Sequence, residues 1–135
     1  MIRLSSLLLL SAYLSLPLMA NPLQIDPAED LYNTAQLALQ QAQSQTEEKG
    51  RKAEFQNATT WYQRYLSAYP DGSYATEAHY YLAVCLAQTG AQTEALAAYQ
   101  TCLDRNPEGR MAGLSALQIA LAAYQAKDST APSRC

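Results

Sequence analysis

The chain has 135 residues, 49% apolar, 16% charged and 9% aromatic, with 9 basic against 12 acidic side chains and a formal charge of −3. That is material for one domain, too apolar to be disordered throughout and without the basic excess that nucleic-acid binding requires. Five Gly and six Pro give no collagenous or linker-type bias.

Arg3 is the only charge among the first twenty residues, Leu4 to Leu18 is an almost unbroken Leu/Ala/Ser run, and Met19-Ala20 leads into Asn21-Pro22, where polarity returns. This reads as a secretory signal peptide over residues 1–20, cleaved after Ala20 and followed by a short linker, 21–26. The run is shorter than the roughly 20 apolar residues of a spanning helix and is interrupted by Pro17. Leu18 stands three residues before the cut, where a small residue is preferred, which keeps an uncleaved membrane anchor as the alternative. No Cys follows the run, so a lipid-modified N-terminus is not expected. Without Arg3 the exported part is net −4. In an oxidising compartment Cys85, Cys102 and Cys135 allow at most one internal disulfide. Cys85 and Cys102 lie within apolar helical patterns, where a small buried hydrophobe is the usual role; a Cys85–Cys102 bridge is the alternative, and the state of the terminal Cys135 is open.

The remainder reads as five helices. Asp26 caps the first, with Pro27 at its first position and Glu29 reaching back, and Leu31, Ala35, Ala38, Leu39 and Ala42 form one face. Glu48-Lys49-Gly50 is expected to end it. The second helix, about 52–69, carries Phe55, Ala58, Tyr62, Tyr65, Leu66 and Tyr69 and stops at Pro70-Asp71-Gly72. The third spans about 74–88 and ends at Gly90, suited to the left-handed position after a helix. The fourth runs about 92–105 before Asn106-Pro107-Glu108-Gly109, and the fifth about 110–126 before a disordered tail, 127–135. No strand-like alternation is present.

A shift of 37 residues brings Ala58, Tyr62, Tyr65, Leu66, Pro70, Gly72 and Ala75 onto Ala95, Tyr99, Cys102, Leu103, Pro107, Gly109 and Ala112, and Leu82-Ala83 onto Ile119-Ala120. Small, aromatic and punctuating residues recurring in one register are the signature of a solenoid. The expected architecture is an all-α helix-turn-helix solenoid over residues 27–126. Ala35 precedes Ala58 by 23 residues where Ala83 precedes Ala95 by 12, so the first hairpin is expected to be the longer.

Residues 76–109 resemble the tetratricopeptide repeat: His79, Leu82-Ala83, Leu86, Gly90, Ala95, Tyr99 and Pro107 stand at the family's spacings. His79 replaces a large aromatic residue and Leu86 a Tyr. The same register places Ala58, Tyr62 and Pro70 in an earlier repeat, and the resemblance implies about two and a half repeats. The run from Tyr69-Pro70-Asp71-Gly72 through Tyr74-Ala75, Glu77-Ala78 and Tyr80-Tyr81-Leu82-Ala83 looks like the junctions of the envelope subgroup of this family in Gram-negative bacteria, the Tol-Pal-associated periplasmic and outer-membrane assembly lipoprotein type. That resemblance implies a non-catalytic periplasmic adaptor that binds other envelope proteins or peptides.

In the family the first helix of each repeat lines the concave surface. The corresponding residues here are Glu77, Tyr80, Val84 and Ala87, then Leu114, Leu117, Leu121 and Tyr124. Ala116, Ile119, Ala120 and Ala123 are expected to pack helix five on helix four, so its second apolar stripe has no obvious cover. Three readings stay open for it: sideways packing or a covering tail, a groove for a partner peptide, and self-association into a homo-oligomer through an uncapped end. Membrane contact is expected only if the leading segment is uncleaved.

Catalytic and metal chemistry find little support. His79 is the only histidine and falls at a packing position. His79 and Cys85 are six residues apart on different helical faces, and no C-x-x-C pair exists, so the zinc count of three Cys and one His is not matched by spacing. Glu29-Asp30 and Glu47-Glu48 lie near helix ends, where carboxylates are routine. Asn57-Ala58-Thr59 fits a glycosylation sequon but sits mid-helix. No cofactor is expected. The alternatives to an adaptor are a self-associating structural envelope protein and, more remotely, a thiol redox protein, which needs an exposed, acidic Cys85 or Cys102.

Overall fold

Asp26 starts the first helix by accepting the Ala28 N–H at 3.0 Å on its carboxylate, with Pro27 pre-set in the first turn. The computed structural model describes residues 24–129. Its helices are α1 (Pro27–Ser44), α2 (Glu48–Ala68), α3 (Ala75–Gln88), α4 (Gln92–Arg105) and α5 (Arg110–Ser129). The described residues contain no strand, and each helix packs on the next, with α5 also touching α3. The architecture is the expected all-α helical repeat solenoid. The predicted signal peptide 1–20 and residues 130–135 of the predicted tail lie outside the described residues.

Two boundaries differ from the sequence reading. α1 ends at Ser44, and the chain turns at 45–47, where Gln45 and Glu47 take extended backbone. Glu48-Lys49-Gly50 therefore opens α2 instead of closing α1. Glycine ends a helix by adopting positive φ, and among the described residues only Gly90 does so. α5 continues to Ser129, three residues into the predicted tail.

The 37-residue register reappears in the backbone. At the α2–α3 junction Gly72 N–H donates to Tyr69 O at 3.1 Å and Ala75 N–H to Gly72 O at 3.0 Å; at the α4–α5 junction Gly109 N–H donates to Asn106 O at 3.0 Å and Ala112 N–H to Gly109 O at 3.1 Å. Tyr69 and Asn106, each before a proline that bars it from the helical region, share closely similar backbone angles (φ −132°, ψ 64° and φ −148°, ψ 79°). Arg105 at the end of α4 reaches Asp71 at 3.5 Å, an exposed pair between the two junctions. Within the second hairpin, Gly90 at φ +88° lets Ala91 N–H reach Leu86 O at 2.9 Å and Gly90 N–H reach Ala87 O at 3.3 Å, closing α3 with a left-handed turn.

The first hairpin is longer, as its spacing requires. α1 and α2 have 18 and 21 residues against 14 and 14 for α3 and α4, eleven more in all, and both pairs are joined by three residues. The insertion is helical on both sides of the turn, so the period of contacts survives it.

Helices approach at alanine. Ala35, Ala42, Ala58, Ala75, Ala78, Ala83, Ala95 and Ala112 are fully buried, and aromatic rings fill the space around them. Tyr32 of α1 stacks on Tyr74 at 4.4 Å between ring centres and meets Tyr65 edge-on at 5.6 Å; Tyr62 lies 6.0 Å from Tyr81, and Tyr80 5.8 Å from Tyr99. Buried hydroxyls need partners. The Tyr65 hydroxyl accepts the Tyr74 N–H at 3.1 Å, and that of Tyr32 accepts from Gln36 at 2.8 Å and donates to Glu77 at 3.0 Å. The buried hydroxyl of Tyr62 has none.

Two comparisons test this packing by chemical denaturation. Ala83→Leu should destabilise by about 1–3 kcal/mol through overpacking, while Ala120→Leu, the equivalent position on exposed α5 surface, should stay within about 0.5 kcal/mol of wild type. Tyr65→Phe should cost about 1 kcal/mol by orphaning the Tyr74 N–H, while Tyr62→Phe should be neutral or stabilising, because it removes an unpaired buried hydroxyl.

Candidate functional site

The candidate residues on α3 and α5 occupy matching repeat positions but different surroundings. Tyr80, Val84 and Ala87 are half-buried and pack against Ala83, Ala95, Ala98 and Tyr99, the seam between α3 and α4. Glu77, one turn earlier, is exposed and holds the Tyr32 hydroxyl. Their counterparts on α5 meet no such cover. Leu114 is half-buried, and Leu117, Leu121 and Tyr124 are 53%, 45% and 71% exposed.

The faces of α5 differ from those expected. Of the four residues expected against α4, only Ile119 packs into the core; Ala116, Ala120 and Ala123 are exposed. Ala112 and Ser115 are buried instead, with Ile119 one turn on. The reason lies in the register. Ala120 is the counterpart of Ala83, which packs with residues of the helix that follows its own, and α5 is the last helix among the described residues. The 37-residue shift also lands Ala75 and Ala78 on Ala112 and Ser115, so the true packing face was available from the buried face of α3.

Ala58, Tyr62, Leu82, Ala83, Ala95 and Tyr99 are buried, Pro70 and Pro107 stand at the two equivalent junctions, and Gly90 closes α3. The junctions bound a polar cleft of about 280 Å³ that brings Glu77 and Arg110 together with Ser73, Thr76 and Asn106. Sequence reading did not single out Arg110, since the two junctions meet only when the repeats stack. No group of three or more metal-ligating side chains occurs among the described residues.

The thiols are buried and free. Burial pushes the Cys85 thiol up to about 12, outweighing the lowering by its backbone and Thr59 contacts, and raises Cys102 against the opposing effect of the Ser115 hydroxyl. Both shifts run opposite to those of a reactive thiol. His79 is half-buried, with its pKa lowered by burial and then by the charge of Arg105.

Cys135 lies outside the described residues, so a Cys135→Ser variant isolates the other two. Neither remaining thiol should react with an aromatic disulfide reagent near neutral pH until denaturant is added. The folded state keeps the Cys85 proton that the unfolded chain releases above its ordinary pKa of 9.0. This contribution to stability should therefore be constant below that pH and decline as the pH rises from 9.0 towards 12.

Comparison of the chain with protein-family models, with curated proteins and with solved structures finds no match.

Proposed function

We propose that this chain is a non-catalytic protein-interaction module of the tetratricopeptide type in the bacterial cell envelope. It acts in the periplasm after removal of the leading segment and presents Tyr80 and Val84 of α3 and Leu114, Leu117, Leu121 and Tyr124 of α5 to partner proteins. The observation that carries the reading is the pair of near-identical junctions 37 residues apart, followed by a helix whose apolar stripe stays open. A stacked helix array offers an extended surface for a peptide or protein, and a contiguous exposed apolar patch marks an interaction site. Partner recognition would then depend on shape and on aromatic contact more than on charge, since the stripe between Arg110 and Asp128 carries no ionisable group other than the Tyr124 phenol.

The compartment rests on the sequence of residues 1–20. Among the described residues no helix is long and apolar enough to cross a membrane.

Photoreactive residues placed at positions 80 and 117 in intact bacterial cells should yield protein adducts. The same residue at position 56, on the exposed surface of α2, should not. The cross-linked protein should fractionate with the periplasm and begin at Asn21. Absence of adducts at both 80 and 117 would overturn the interaction reading, and retention in the cytoplasm would overturn the compartment.

A further inference from the structure

At 3.6 residues per turn, Arg110, Leu114, Leu117, Leu121, Tyr124 and Asp128 of α5 fall within one stripe about 80° wide. The stripe lies on the side away from Ala112, Ser115 and Ile119, which face the core. It is apolar in the middle and carries a single cation at its beginning and a single anion at its end. Both charges oppose the dipole of their own helix: a cation at the N-terminus and an anion in the last turn are each unfavourable there. Among the described residues neither forms an ion pair. Their placement has no benefit for α5 in isolation.

We infer that this stripe is the contact surface of a symmetric dimer, in which α5 pairs with α5 of a second copy in antiparallel orientation. The inference rests on the reading of the α5 stripe as an interaction surface and assigns its occupant. A two-fold axis crossing the helix at the level of residue 119 pairs residues equidistant from that level. Arg110 then meets Asp128 of the second copy, Leu114 meets Tyr124, and Leu117 meets Leu121, and symmetry repeats each contact. One register thus matches all six residues of the stripe. A two-fold interface demands this kind of self-complementarity. The antiparallel arrangement also sets each misplaced charge beside the opposite pole of the neighbouring helix. Gly113, Ala116 and Ala120, all exposed along one edge of the stripe, let the backbones come close.

One helix per copy makes a small interface, so reversible dimerisation in the micromolar range is expected. The test is sedimentation equilibrium on protein purified from cells expressing the full chain, with helix content followed by circular dichroism. Arg110→Glu and Asp128→Arg should each raise the dissociation constant about tenfold, because each replaces two attractions by two repulsions, with helix content unchanged. An equimolar mixture of the two variants should form a heterodimer within about threefold of wild-type affinity, since every end pair is again oppositely charged. Three results would overturn the inference: a wild-type chain monomeric through the submillimolar range, variants that dimerise like wild type, or a mixture no tighter than its components. A monomer that still captures other proteins at position 117 in cells would overturn the second-copy occupant and leave the interaction reading standing. A charge-dependent dimer with no adducts at 80 or 117 in cells would support the pairing while removing the cellular role.

Discussion

Two helices can lie side by side in this chain only where one of them presents a methyl group or less. The fully buried alanines of all five helices set the distance between rods, and every other feature of the packing adjusts to that distance. Once Ala83 and Ala95 have brought α3 and α4 together, there is room beside them for Tyr80, Tyr99 and Val84 but not for a larger residue at the crossing. The constraint also explains why the long first hairpin does not disturb the array. The eleven added residues lengthen both rods, by four and by seven, and the crossing residues keep their order.

Tyrosine fills the intervening space, with consequences that leucine would not have. A row of rings runs from Tyr32 on α1 through Tyr62 to Tyr81, Tyr80 and Tyr99, each within about 6.5 Å of the next and so at aromatic contact distance, with Tyr65 branching from Tyr32 at 5.6 Å. Each ring brings a hydroxyl that must find a partner or be left without one. Tyr65 uses its hydroxyl to hold the Tyr74 N–H at the start of α3, a structural role that the repeat does not conserve, since the counterpart residue is Cys102. At that second position the counterpart of Ala78 is Ser115, whose hydroxyl lies against the Cys102 thiol. The two junctions thus share a backbone path while using different side chains to support it.

Helix number, hairpin lengths, the two proline junctions and the role of Gly90 were legible in the sequence because each depends on local chemistry. Proline excludes its predecessor from the helix and Gly90 supplies a left-handed turn; both effects act within a few residues. Gly50 misled for the same reason, since a glycine in sequence does not announce its φ, and here the turn is made by extended Gln45 and Glu47 instead. The faces of α5 were less legible. Its alanines carry the spacing of a crossing helix, but burial requires a neighbour, and whether one is present is a property of the array. Arg110 was hidden for a related reason: its place beside Glu77 in the cleft depends on the stacking of two junctions far apart in sequence.

The last described helix joins these points. Each helix of a solenoid buries its crossing face on the helix that follows, and α5 has no such neighbour among the described residues. On α3 that face carries Tyr80, Ala83, Val84 and Ala87, all at least half-covered; on α5 the same four positions carry Leu117, Ala120, Leu121 and Tyr124, all exposed. Exposure of the small residue alone would be unremarkable on any surface. Replacing Val84 and Ala87 by the larger Leu121 and Tyr124 at an exposed site works against solubility, so the α5 stripe is more apolar than an inert surface requires. In the proposed dimer, oppositely charged residues at its two ends would do what the apolar residues cannot. Leucines tolerate many alignments of a neighbouring helix, whereas Arg110 and Asp128 would favour the antiparallel one in which both charges are matched.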